Sequence, residues 1–237
     1  MTRPQTIFSN WAARAALILA ALILSFVLYP FARVRPFNER MILAAGIADP
    51  RARLAAYATL AADDRLRAVD RFDAAAAAAR QAKELGDRPA ARHWLEAALA
   101  QPGTNPDFRE NVELEYADLL IALKEWDEAR ARLDSLIGRT PDPQRRRTAQ
   151  GLLVAVLRQS GRVDEAARLL EELTGDPAAA DRLSWRIQLI ECWAELGRRD
   201  AALELLREAR ADTTANDSAI RAALDAVCRR LDCPPAE

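Results

Sequence analysis

The chain has 237 residues, 29% of them charged, and a formal net charge of −1 at neutral pH. That length holds one or two domains, and the near-zero balance gives no bulk pull toward nucleic acid. Eight glycines without a Gly-rich loop argue against a phosphate cradle, one histidine leaves a zinc or triad site short of partners, and three cysteines are too few for a disulfide framework.

Residues 1–14 read as a polar tail carrying Arg3 and Arg14. Residues 15–32, AALILAALILSFVLYPFA, follow without a charge. As a helix they would reach roughly 27 Å, close to the ~30 Å of a bilayer core. Arg14 and Arg33 flank the run, and Trp11, Tyr29 and Phe31 sit where an aromatic belt would. No A-x-A cleavage site follows. The stretch is therefore expected to be a single transmembrane anchor. Arginine outnumbers lysine 32 to 2, a sign of GC-rich coding that points to a bacterial inner membrane. Counting lysine and arginine alone slightly favours the remainder on the cytoplasmic side. A short basic tail before an apolar run is the pattern of a signal anchor, however, so the periplasmic side is expected, with the cytoplasmic side as the alternative. Residues 33–48 are a basic connector with a short helix expected over 39–45.

From residue 49 the punctuation becomes regular. Asp49-Pro50, Asn105-Pro106, Asp142-Pro143 and Asp176-Pro177 each put a side-chain cap before a proline at the first helical position. One long helix is expected over 65–85, containing six alanines in a row at 74–79. Four stretches then share one frame. They open at Gly86, Lys124, Gly161 and Gly197, which lie 38, 37 and 36 residues apart. Each carries alanine at one position (Ala91, Ala129, Ala166, Ala202) and leucine four residues on (Leu95, Leu133, Leu170, Leu206). Three further on comes another apolar residue: Ala98, Leu136, Leu173 or Ala209. Steps of four and three keep all of them on one helical stripe. A period in the thirties marks a solenoid, in which each unit buries its apolar face against the next.

Gly-Asp-x-x-x-Ala from Gly86, Ser-Gly-Arg-Val-Asp-Glu-Ala from Ser160 and Leu-Gly-Arg-Arg-Asp-Ala-Ala from Leu196 resemble the second half of the tetratricopeptide repeat (TPR) motif. In the first helices, Ala78-Ala79 and Tyr116-Ala117 match the family's small residue, whereas Leu153-Val154 and Leu189-Ile190 are bulky there. The resemblance covers roughly residues 72–209. It implies an all-α, TPR-like solenoid of helical hairpins over 49–233, with a C-terminal capping helix over 218–231 and the transmembrane helix ahead of it. It implies no reaction, because the family shares a shape. Its first helices would line a groove for a peptide or partner helix. On this frame the groove-facing residues are Arg80, Lys83, Asp118, Ile121, Thr148, Arg158, Ser184, Ile187 and Glu191. The family's carboxylate clamp is not expected, since Ala76, Arg80, Glu115, Thr148 and Leu152 stand at its places.

Other polar residues have plainer readings. His93 falls on the outer side of a second helix and reads as a surface residue. Asp127-Glu128 and Asp164-Glu165 recur at helix starts, where carboxylates favour the helix dipole. Arg145-Arg146-Arg147 reads as a solvated face, or as a contact for an acidic partner or anionic lipid. Cys192, Cys228 and Cys233 read as unpaired residues, with a Cys228–Cys233 or Cys192–Cys228 bridge left open.

The expected function is thus a membrane-anchored scaffold or adaptor that assembles an envelope or membrane protein complex by protein–protein interaction. An accessory structural subunit held through its transmembrane helix is the alternative. No enzyme activity, cofactor, metal or nucleic-acid partner is expected, and the lipid bilayer is the second partner through residues 15–32.

Overall fold

A computed structural model describes residues 36–175, 182–212 and 218–231. The chain divides into two compact units, Met1–Arg53 and Leu54–Glu237. Among the described residues every regular element is an α-helix, eleven in all.

The first unit contains α1 (Phe37–Ala45). The next helix, α2 (Pro50–Ala61), begins with Asp49 as its cap, accepting from the backbone N–H of Ala52 at 3.0 Å. The expected connector helix at 39–45 starts two residues earlier, at Phe37.

In the second unit the helices pair as the frame requires. The pairs are α3 (Ala68–Glu84) with α4 (Arg88–Leu99), α5 (Pro106–Leu123) with α6 (Trp126–Arg139), α7 (Pro143–Gln159) with α8 (Val163–Thr174), and α9 (Arg182–Glu195) with α10 (Arg199–Ala211). Each second helix also packs against the first helix of the next pair, which is the stacking of a solenoid. The last helix, α11 (Ser218–Arg230), packs on α9 and α10.

The starts follow the cap chemistry. Asn105 accepts from the Asp107 N–H at 2.8 Å, Asp142 from the Gln144 N–H at 2.8 Å, and Asp87 from the Ala90 N–H at 3.0 Å. Asp176-Pro177 lies outside the described residues. The long first helix begins at Ala68, three residues later than its composition suggests. Arg67 has extended backbone there and reaches forward with its guanidinium to Asp70.

The four hairpins turn in one way. The N–H of Gly86 bonds to Lys83 O and that of Asp87 to Ala82 O. Lys124 and Glu125, Gly161 and Arg162, and Gly197 and Arg198 repeat this pattern on their own first helices. The paired bonds satisfy carbonyls that the helix end would leave open, and they require a left-handed residue at the turn.

The repeating alanines Ala91, Ala129, Ala166 and Ala202 are inaccessible, which lets helix backbones approach closely. Leu95, Leu133, Leu170 and Leu206 fill the space between units. In the first helices Ala79, Ala117, Val154 and Ile190 are all buried, so the later crossings accommodate the larger side chains. The core runs continuously from Phe72 to Cys192, and a second cluster joins Ile190, Leu206 and Ala209 to Leu224, Val227 and Leu231 of the C-terminal end. There α11 covers the apolar face that a further repeat would otherwise bury.

Polar staples one repeat long reinforce this core. Arg92 on α4 reaches Glu125 at 2.7 Å and Glu128 at 3.2 Å. Arg130 pairs with Glu165 at 2.8 Å, Asp127 with Arg162 at 2.7 Å, and Asp164 with Arg198 at 3.5 Å. The carboxylates at helix starts therefore serve both the helix dipole and the neighbouring repeat.

The expectation of a single-pass inner-membrane protein with a periplasmic solenoid is corrected. Among the described residues no helix is long and apolar enough to cross a membrane. The longest, α5, has 18 residues but carries Asp107, Arg109, Glu110, Glu113, Glu115 and Asp118, charges that a bilayer core would have to desolvate. Residues 15–32, on which that expectation rested, lie outside the described residues.

Candidate partner-binding face

Counting back from the four turn residues gives the geometry of the face made by α3, α5, α7 and α9. Three residues before the turn stand Lys83, Ile121, Arg158 and Ala194; six before it stand Arg80, Asp118, Ala155 and Glu191. Two of the three junctions between these helices carry the same ion pair. Lys83 Nζ lies 2.8 Å from Asp118 Oδ2, and Arg158 Nη1 lies 2.9 Å from Glu191 Oε2. Each joins the third residue before one turn to the sixth before the next. At the middle junction those two places hold Ile121 and Ala155, and the ion pair is replaced by apolar surface.

The other expected face residues fall around these. Arg80 pairs with Glu115 at 3.3 Å. Arg158 also holds Glu195 at 2.8 Å, and Glu191 receives Arg230 from α11 at 2.8 Å. Burial works against the charge of Arg158, but its bonds to Glu195 and Glu191 outweigh this and hold the guanidinium more firmly protonated than usual. Thr148 is turned back on its own helix, donating to Gln144 O at 3.0 Å. Ile121 packs against the main core and Ile187 against the C-terminal cluster, each half-buried, while Ser184 is exposed.

Two depressions open on this face near the turns. A cleft of about 670 Å³ is lined by Asp118, Ile121, Ala122, Lys124, Trp126 and Gln159. A smaller one of about 290 Å³ is lined by Ala155, Arg158, Gln159, Gln188 and Glu195. They meet at Gln159. The face thus offers a partly apolar centre between ion-paired ends, and sequence reasoning missed Trp126 and Gln159 on it.

The arginines read as a solvated face turn out to be structural. Arg145 bonds Asp107 at 2.8 Å and the buried Glu110 at 2.6 Å, and Thr140 donates to the same Glu110 oxygen at 2.7 Å. Arg146 donates to Thr140 O and Arg147 to Gln144 Oε1. Arg145 and Arg146 are therefore occupied in tying α7 to the preceding repeat, while the bond of Arg147 to Gln144 lies within α7. His93 is exposed, edge-on to Trp94 with ring centroids 4.8 Å apart. Cys192 and Cys228 are both buried thiols, and burial pushes the Cys192 thiol up to about 11 despite the nearby Arg158. Cys233 lies outside the described residues. Among the described residues no group of histidine, cysteine and carboxylate side chains could hold a metal ion.

No family model matches the sequence, and no curated protein matches it. Solved structures do. A protein of Podosopora anserina described as a kinesin light chain with nearly identical TPR-like repeats superposes with a TM-score of 0.60 at 22% identity, over 76% of this chain and 96% of that one. The fold is TPR-like. A tetratricopeptide repeat protein from Parabacteroides merdae superposes with a TM-score of 0.57 at 14% identity, over 94% of this chain and 82% of that one. At these identities the likeness is one of TPR-like architecture, which elsewhere presents surfaces for protein partners.

Proposed function

We propose that this TPR-like chain is a scaffold that holds a segment of a partner protein along the face of α3, α5, α7 and α9 and so assembles a larger complex. The observation that carries this reading is the middle junction. There Ile121 and Ala155 stand where the neighbouring junctions carry ion pairs, beside the 670 Å³ cleft. Rigid stacked hairpins present such a face preformed, so little ordering entropy opposes binding. An apolar strip between charged ends suits an amphipathic segment, whose apolar side chains supply area and whose polar ones fix register.

The test is co-purification with the tagged full-length chain, compared with the double variant Asp118→Arg, Glu191→Arg. The Lys83–Asp118 pair faces water and contributes at most about 1 kcal/mol, whereas Arg158–Glu191 is largely buried, so the helicity and melting of the variant are measured alongside. Loss of the partner at unchanged circular dichroism supports the face. A partner retained in full by the variant places binding elsewhere.

A further inference from the structure

The four hairpin turns share one backbone geometry but not one residue type. Gly86, Gly161 and Gly197 adopt φ of 72°, 80° and 74°. The fourth turn adopts φ of 63° with Lys124, the one described non-glycine residue in this region. A Cβ is disfavoured there, and the array has used glycine at every equivalent turn. A strained residue that persists against this preference marks a place where its side chain has work to do.

The surroundings indicate what that work is. The acids near Lys124 are engaged: Asp118 with Lys83, Glu125 with Arg92, and Asp127 with Arg162. The Lys124 ammonium has no hydrogen-bond or ion-pair partner among the described residues. It lines the 670 Å³ cleft together with Asp118, Ile121, Ala122, Trp126 and Gln159. The cleft thus combines an apolar wall and the Asp118 carboxylate, already held by Lys83, with a positive charge that has no partner of its own.

We infer that Lys124 is a partner-contacting residue, and that the segment seated in this cleft carries a carboxylate next to an apolar side chain. This rests on the reading of the face as partner-binding and names the chemistry of what it takes. The apolar side chain packs on Ile121 and Trp126. The carboxylate, from an aspartate or glutamate, accepts from Lys124 and from the Gln159 amide.

The probe is a set of fluorescent synthetic dodecapeptides, each with a central Leu or Phe and with Glu, Gln or Lys at every flanking position in turn. Binding to the full-length chain is read by polarisation. Acid-bearing peptides are expected to bind about tenfold tighter than their amide counterparts, the effect of one charge-assisted hydrogen bond. Lys124→Gly should abolish this preference while melting no lower than the wild type, and Lys124→Arg should keep it. Equal binding of Glu and Gln peptides, or a preference that survives Lys124→Gly, overturns the inference. Peptides that bind without acid preference and are weakened by Ala155→Arg leave the scaffold face standing. Failure of every peptide to bind, or binding indifferent to Ala155→Arg, overturns the face and the inference together.

Discussion

Lys83 and Asp118 are 35 residues apart in the chain and 2.8 Å apart in space. Arg158 and Glu191, 33 residues apart, make the same bond two junctions further along. Two of the residues expected to meet a partner are thus neutralised by two others in the unbound chain. A partner that uses them must exchange these pairs for its own, which favours specificity over raw affinity.

A double-mutant cycle on Lys83→Met and Asp118→Asn should give a coupling of only about 0.2–1 kcal/mol, because both side chains face water. The coupling should shrink further in high salt. A coupling of several kcal/mol, read from urea midpoints, would show that the pair is a structural element.

Thr140 presents a contrast, being buried and donating to the equally buried Glu110. Thr140→Val keeps the shape but removes the donor. It should cost about 1–2 kcal/mol, visible as a lower urea midpoint at unchanged slope.

Tyr116 donates to Glu96 at 2.6 Å under the Arg132 guanidinium, which lies 4.2 Å above its ring. Burial first, and the bond to Glu96 second, push the phenol up to about 12. The stability this contributes is whole below the ordinary phenol value and is lost as pH rises from there through about 12. Glu96 is held low, by Tyr116 first and Arg92 second, so its contribution is present above the usual carboxylate range and lost in acid. Tyr116→Phe should cost about 1 kcal/mol and move the Glu96 titration upward, as followed by NMR.

Leu133 is inaccessible at the centre of the array, and Leu133→Ala should cost about 2–5 kcal/mol. Ala129→Leu should cost about 1–3 kcal/mol by overfilling the crossing. Thermal melts of both variants measure this, and a neutral Ala129→Leu would contradict the close approach of the helices.

Cys192 is buried and its thiol is raised to about 11, so little thiolate exists at neutral pH. In a Cys233→Ser background, alkylation of Cys192 should be slow in the folded protein and rapid in urea, with mass spectrometry locating the adduct.

The frame of Ala91, Ala129, Ala166 and Ala202 was legible because close helix crossings tolerate few residue types, and the structure buries all four. The staples were not, although Arg92 with Glu125 and Arg145 with Glu110 repeat a charge match one unit apart. The offset between neighbouring repeats decides which arginine meets which acid, and no single repeat encodes that offset. Arg145 therefore looked like open surface. Trp126 reads from its place in the repeat as a member of the apolar face at a helix start, and it does pack against the core, but it also lines the cleft.

The uneven stapling has a mechanical meaning. The junction of α5 with α7 is tied at its outer end, where Arg145 grips Asp107 and Glu110, but has Ile121 and Ala155 in place of an ion pair near the turns. The same two repeats are also joined by Arg162 with Asp127 and by Arg130 with Glu165, so the missing tie is confined to the face of the first helices. Small movements there should therefore fall on the α5–α7 face, widening and narrowing the mouth of the cleft beside Lys124 while the outer ties hold. Salt would weaken the Lys83–Asp118 pair at the neighbouring joint but leave the contact surface of Ile121 and Ala155 unchanged.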